Sequence, residues 1–240
     1  MTDVNARPRT SFVDELRRAA TNVAVPQHEP PAVVRRRRLV AAGVVVLGAV
    51  ILGCVLRRQP GESAFYWLMF ALAAVWFIGA AVSGPLHLGS ICWRGRNQRP
   101  VITGTAVGLL LAGVFVVGAL VVREIPALHD LVTRLLQFTE QGPALLLVAI
   151  LVLNTIAEEL FFRGSVYTAV GRHHPVIVST AVYVGVVMAG ANVVLGFAAL
   201  VLGTVCALER RATGGVLAPA LTHLVWGLVV VFTMPYVFGG

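Results

Sequence analysis

The chain contains no lysine. All 19 of its basic residues are arginine. Charge of any kind is scarce: Asp, Glu, Lys and Arg make up 12% of the 240 residues, while 58% are hydrophobic. Soluble domains carry about 25% charged residues, so this composition excludes a soluble globular fold and reads as an integral membrane protein. Cysteine is nearly absent. Cys54, Cys92 and Cys206 are scattered in or beside apolar stretches with no CxxC pair, which excludes a disulfide framework or a thiolate metal site and leaves small packing residues. No HExxH motif and no convincing internal repeat occurs. The net charge of +8 is read as a device that orients membrane helices. Nucleic-acid binding would require a basic surface joined to a reading module, and none is present, so no nucleic-acid partner is expected.

What the sequence does have is long apolar runs. The fold class they predict is all-α, a polytopic bundle of about seven transmembrane helices, each near the ~20 residues a bilayer requires. The segments fall at about 39–56, 63–83, 101–122, 143–170, 175–190, 193–208 and 215–238. The fifth and sixth are short and read as half-spanning or tilted. The chain divides into a cytoplasmic, largely flexible basic arm (1–38), a group of N-terminal membrane helices (39–142) and a core (143–240). In the arm, Ser11 caps a short predicted helix over Phe12–Arg18, and Pro26–Pro31 reads as an extended linker. No secretory signal is expected, because the first apolar core follows almost forty polar residues. Arg35–Arg38 read as a cytoplasmic stop that pins the first helix, with attraction to anionic lipid as the alternative. With the N-terminus cytoplasmic, Arg94, Arg96, Arg99, Arg172, Arg210 and Arg211 also lie inside, while Arg57, Arg58, Arg123 and Arg134 lie outside. This arginine bias places the protein in the cell membrane, multi-pass, with the C-terminus on the side opposite the N-terminus.

Between the third and fourth segments, Leu128, Leu131, Val132 and Leu135 share one helical stripe and His129, Asp130, Arg134 and Gln137 the other. That pattern predicts an interfacial amphipathic helix, read as a connector resting on the bilayer rather than a substrate gate. Gly104 and Gly108 form a GxxxG in the third segment, which permits close helix packing.

The chemistry concentrates in Asn154-Thr155-Ile156-Ala157-Glu158-Glu159-Leu160-Phe161-Phe162-Arg163-Gly164. Charged side chains at the centre of a membrane helix cost about 2.5–3.5 kcal/mol each, and those retained there mark functional sites. Glu159 and Arg163 are four apart on one helical face. Glu158 points about 100° away, so one carboxylate is held by the arginine while its neighbour faces something else. His223 lies in the last segment, on the order of 12 Å below the cytoplasmic surface, and the glutamates lie roughly 20 Å deep, so their depths overlap.

Glu158-Glu159-x-x-x-Arg163, followed by Thr213-Gly214-Gly215-Val216-Leu217-Ala218-Pro219 and then His223, resembles the CAAX prenyl endopeptidase type II and bacteriocin-processing (CPBP) family over roughly residues 143–230. The resemblance implies an intramembrane endopeptidase that hydrolyses a peptide bond of a peptide or membrane-protein substrate within the bilayer. It assigns Glu158 to activate water, Glu159 and Arg163 to support the site, and His223 to stabilise the oxyanion. Two positions depart from the family's motifs. Val187 stands where Phe-x-x-x-His has its histidine, in Tyr183-Val184-Gly185-Val186-Val187, and Gly227 stands where His-x-x-x-Asn has its asparagine. Asn154 and Asn192 are the nearby polar residues available to compensate, and Asn154 is expected to orient Glu158. His173 and His174 read as interfacial. No cofactor is expected. Zinc is the alternative, but a catalytic zinc wants three protein ligands and the sequence supplies one membrane-buried histidine. A second reading is a catalytically degenerate member acting as a membrane binding, immunity or scaffold protein; a third is a transporter-like role.

Overall fold

The computed structural model describes residues 21–24, 30–93 and 96–239. The expected helix over Phe12–Arg18, the linker residues 26–29 and Arg94 lie outside the described residues. Among the described residues from 30 onward, eight helices follow one another: α1 (Pro31–Val55), α2 (Ser63–Ser83), α3 (Val101–Val122), α4 (Pro126–Glu140), α5 (Ala144–Val170), α6 (Pro175–Val187, continued by a 3-10 turn over Met188–Gly190), α7 (Val193–Thr213) and α8 (Leu217–Val237). Between α2 and α3 a small antiparallel hairpin pairs β1 (Ile91–Trp93) with β2 (Arg96–Gln98). Six of the helices are long and apolar enough to cross a membrane, and α6 is a shorter apolar one. The protein is a polytopic helical bundle and a multi-pass membrane protein.

Two boundaries differ from those read in the sequence. The first helix begins at Pro31 rather than near residue 39. Proline at the first helical position is pre-set for the helix, and arginine is a good helix former, so the arginine run is wound onto α1. The sixth segment does not stop at residue 208. It continues to Thr213 and ends at Gly214, whose φ of 72° closes the helix in the left-handed region, so α7 is full length. Its start is also fixed: the Asn192 side chain accepts from the backbone N–H groups of Val194 and Leu195.

Aromatic packing forms the main core. Trp76 of α2 stacks on Phe161 of α5 with ring centroids 4.9 Å apart and meets Phe162 at 5.1 Å. Leu72, Ala157, Tyr183 and Val186 close the same cluster. The most extensive helix pair is α3 with α8. A Cβ on Gly104 would lie 2.8 Å from the Ala218 carbonyl oxygen, and one on Gly108 would lie 2.8 Å from that of Thr222. The GxxxG thus lets the two backbones touch. Helix α4 does more than rest on a surface: Val132 and Leu136 are buried with Ala119 and Met234. Its exposed face carries Asp130, Arg134 and Gln137, while His129 is half-buried against Phe238, ring centroids 5.5 Å apart.

The arginine run is not simply an interfacial stop. Arg37 is fully buried. Its guanidinium donates to Ser83 Oγ at 3.3 Å and to the Pro85 carbonyl at 3.2 Å. Arg38 donates to the Ala169 carbonyl at 2.9 Å. At the same end of the bundle the segment after α2 runs beside the start of α8. Val216 N–H donates to the His87 carbonyl at 2.9 Å and Leu217 N–H to that of Leu88 at 3.1 Å. Gly89 and Gly215 cross there with no room for a Cβ on either.

Candidate functional site

Helix α5 carries the acidic pair and is anchored from both sides. Asn154 Nδ2 donates to the Met69 carbonyl of α2 at 3.2 Å and to the Ile150 carbonyl at 3.0 Å. Asn154 therefore ties α5 to α2 and does not orient Glu158, contrary to the expectation from its spacing. Asn192 caps α7 rather than compensating for a missing motif residue.

Beyond Glu159 the helix widens into a π-helical turn over Leu160–Val166. Wider turns of this kind recur at functional sites. Side chains reach two carbonyls of this turn: Arg210 Nε donates to the Arg163 carbonyl at 2.8 Å and Thr168 Oγ1 to that of Gly164 at 2.7 Å. Ser165 and Ser83 share a hydrogen bond of 2.6 Å, so the turn is tied through Ser83 to the buried Arg37.

The two glutamates have different partners. Glu159 and Arg163 are both buried, with Arg163 Nη1 3.0 Å from Glu159 Oε1. That contact is an ion pair by distance, although Nη1 is not aligned for a hydrogen bond. The aligned bond from the guanidinium runs from Nη2 to the Gly203 carbonyl at 3.2 Å. His223 of α8 places Nδ1 2.8 Å from the same Glu159 Oε1. Toward an ionised carboxylate, which only accepts, Nδ1 is the donor and Nε2 is the ring nitrogen left over. Glu159 Oε2 is buried with no partner among the described residues.

Glu158 is half-buried and points to α6, where the Tyr183 hydroxyl donates to its Oε2 at 3.0 Å. It interacts electrostatically with His223, Glu159 and Arg163. The structure thus brings the four sequence-selected residues into one neighbourhood. It assigns His223 directly to Glu159 rather than to Glu158. The residue that sequence reasoning misses is Tyr183, which the sequence presents only as the aromatic position of a degenerate motif. Its extra hydroxyl was the available signal.

The departures from the motifs have structural counterparts. Val187 is half-buried and packs with the apolar core. At Gly227 a Cβ would lie 3.2 Å from Leu151 Cδ1, so Leu151 occupies space that an asparagine side chain would need. His173 and His174 are exposed. Among the described residues no three His, Cys, Asp or Glu side chains form a group able to hold a metal ion. A catalytic zinc takes three protein ligands, and with Nδ1 of His223 on Glu159 the ring offers Nε2 alone.

A comparison with protein families agrees with the motifs. Residues 140–229 match the family model described as type II CAAX prenyl endopeptidase Rce1-like. No curated protein and no solved structure matches the chain.

Proposed function

We propose that the segment matching this endopeptidase family works as an intramembrane protease that hydrolyses a peptide bond with a water activated by Glu158. The observation that carries the reading is the separation of the two carboxylates. Glu159 is committed to Arg163 and His223, whereas Glu158 is half-buried and holds one hydrogen bond, from Tyr183 to Oε2. A general base needs an oxygen available to the proton it removes, and the Tyr183 bond falls on Oε2, leaving Oε1 for that role.

In this reading Glu158 takes a proton from water as the water attacks the peptide carbonyl. Glu159 fixes the His223 ring and supplies its counter-charge. With the His223 ring entering the reaction as imidazolium, balanced by Glu159, Nε2–H is the donor that meets the developing oxyanion, an interaction that gains strength where water is excluded, and the proton taken up by Glu158 passes to the departing amine as the C–N bond breaks. Arg163 balances the remaining charge. The reaction is proposed to be metal-free. The substrate is a peptide segment of a membrane or membrane-anchored protein, and the N-terminus faces the cytoplasm.

A second reading has a specific observation behind it. Val187 packs as a core residue and Leu151 fills the space beside Gly227, as expected of a bundle that has lost hydrolysis and acts as a membrane binding, immunity or scaffold protein. The deciding experiment uses purified protein in detergent, a mixed set of membrane-anchored peptides, the parent and Glu158→Gln, with and without chelator. Cleavage that disappears in Glu158→Gln and ignores chelator supports the protease. Cleavage that persists in Glu158→Gln removes Glu158 from the chemistry. A cellular phenotype that survives Glu158→Gln but not loss of the protein supports the second reading.

A further inference from the structure

The phenol of Tyr183 occupies a position in this bundle that its neighbours fix from several sides. Its ring lies under the Arg163 guanidinium, with Cζ 4.8 Å from the centroid. Phe162 meets it edge-on at 4.9 Å. Across the α6–α7 contact, a Cβ on Gly203 would lie 3.1 Å from Tyr183 Cδ1, so the ring sits directly against the α7 backbone. A ring so confined has few rotamers left, and its hydroxyl is a fixed point in the site. That hydroxyl donates to Glu158 Oε2 at 3.0 Å.

Glutamate has three rotatable side-chain bonds, and a half-buried one not otherwise tied samples many positions. General-base chemistry needs one of them, with the reacting oxygen held within hydrogen-bond reach of the water. Tyr183 and Val187 are four apart on α6 and share a face. The hydroxyl is therefore delivered from the same helix face on which the related motif carries its histidine.

We infer that Tyr183 is the positioning residue of this site: its hydroxyl holds Oε2 of Glu158 so that Oε1 faces the attacking water, supplying from one turn earlier on α6 a polar contact that Val187 cannot make. The assignment rests on Glu158 acting as the base. It adds a requirement specific to this chain, because a phenylalanine at 183 preserves every ring contact and removes only the donor.

The test pairs kinetics with a readout that does not need activity. Isotope-edited infrared difference spectra locate the carboxylate band lost in Glu158→Gln. In Tyr183→Phe that band is expected to shift, and kcat is expected to fall roughly ten- to a hundred-fold with KM unchanged, the effect of losing one hydrogen bond to a charged group. Incorporating 3-fluorotyrosine keeps ring and hydroxyl but strengthens the donor; it should move the band in the opposite direction, and it serves if Tyr183→Phe does not fold. An unmoved band in both overturns the contact. A moved band with unchanged kcat overturns the positioning role. If the parent itself cleaves nothing, the protease reading fails, while the band shift still decides whether Tyr183 holds Glu158.

Discussion

His223 Nδ1 and Arg163 Nη1 both reach the same oxygen of Glu159, at 2.8 and 3.0 Å, inside a bundle where that carboxylate is fully buried. Glu159 is thus a structural hub, and Glu158 beside it is not. Removing one member of a buried charged pair leaves an uncompensated charge and costs about 3–5 kcal/mol. Glu159→Gln and Arg163→Ala are expected to lower the melting temperature sharply or to prevent accumulation. Glu158→Gln, whose amide oxygen still accepts from Tyr183, is expected to melt with the parent and to lose cleavage. Melting curves in detergent beside cleavage rates test this, and equal destabilisation by Glu158→Gln and Glu159→Gln would contradict the division.

The seam between α3 and α8 sets the height of His223. Gly104 and Gly108 face the Ala218 and Thr222 backbone at distances that leave no room for a side chain. Thr222, next to His223, also bonds across the seam to the Gly104 carbonyl at 2.8 Å. Gly104→Val or Gly108→Val should separate the helices, cost about 1–3 kcal/mol by overpacking and displace His223, reducing cleavage as well as stability. Gly113 is on the same helix with nothing within 4 Å of its Cβ position. Gly113→Ala should be neutral or stabilising, by up to about 1 kcal/mol. Identical melting of Gly104→Val and Gly113→Ala would show that the seam does not constrain the bundle.

The acidic pair and the α3–α8 seam also separate what the sequence reveals from what it withholds. The spans follow from hydrophobicity and length, and the Glu159–Arg163 pair follows from a spacing of four on one helix, so both were readable. The partner of His223 was not. Depth along the membrane brings residues 159 and 223 to the same layer, but which glutamate the ring meets depends on the rotation of α8 against α5. Close packing at Gly104 and Gly108 and the π-helical turn after Glu159 set that rotation. Nothing in residues 160–166 marks a π turn against an α turn, and the Arg210 and Thr168 side chains that reach its Arg163 and Gly164 carbonyls lie outside it. The aromatic motif makes Tyr183 legible as a ring, and its hydroxyl matters only once α6 lies beside α5. Arg37 is legible by position alone, since four adjacent arginines look alike until the helix they wind onto turns one inward.

That inward turn makes a separate prediction. Arg37 is buried while Arg35, Arg36 and Arg38 are exposed, and its partners Ser83 and Pro85 connect to Ser165 in the π turn. Arg37→Ala removes hydrogen bonds to a charged group, each worth about 1.5–3 kcal/mol, and should destabilise the protein and loosen the turn that presents Arg163. Arg36→Ala should leave the melting temperature unchanged. If the run acts only through its summed charge, the two variants will behave alike, and comparing their melts decides between the alternatives.

The orientation proposed from arginine bias is open to a chemical test with the protein's own thiols. The ends of α1 and α2 that carry Arg37 and Ser83 share a side with the hairpin holding Cys92, as the bond from Ser90 N–H to the Thr213 carbonyl at 2.9 Å and that from Arg38 to Ala169 show. Arg96, Arg99, Arg172, Arg210 and Arg211 adjoin the helix ends on that side, whereas Arg57, Arg58, Arg123 and Arg134 adjoin the other. Arginine excess marks the cytoplasmic side. Cys92 is exposed and Cys206 buried, so in a Cys54→Ser variant Cys92 is the thiol open to reagent. A membrane-impermeant maleimide should label it in inverted membrane vesicles and leave it unmodified in intact cells. Labelling in intact cells would invert the topology, put His223 nearer the outer surface and require the substrate to approach from outside.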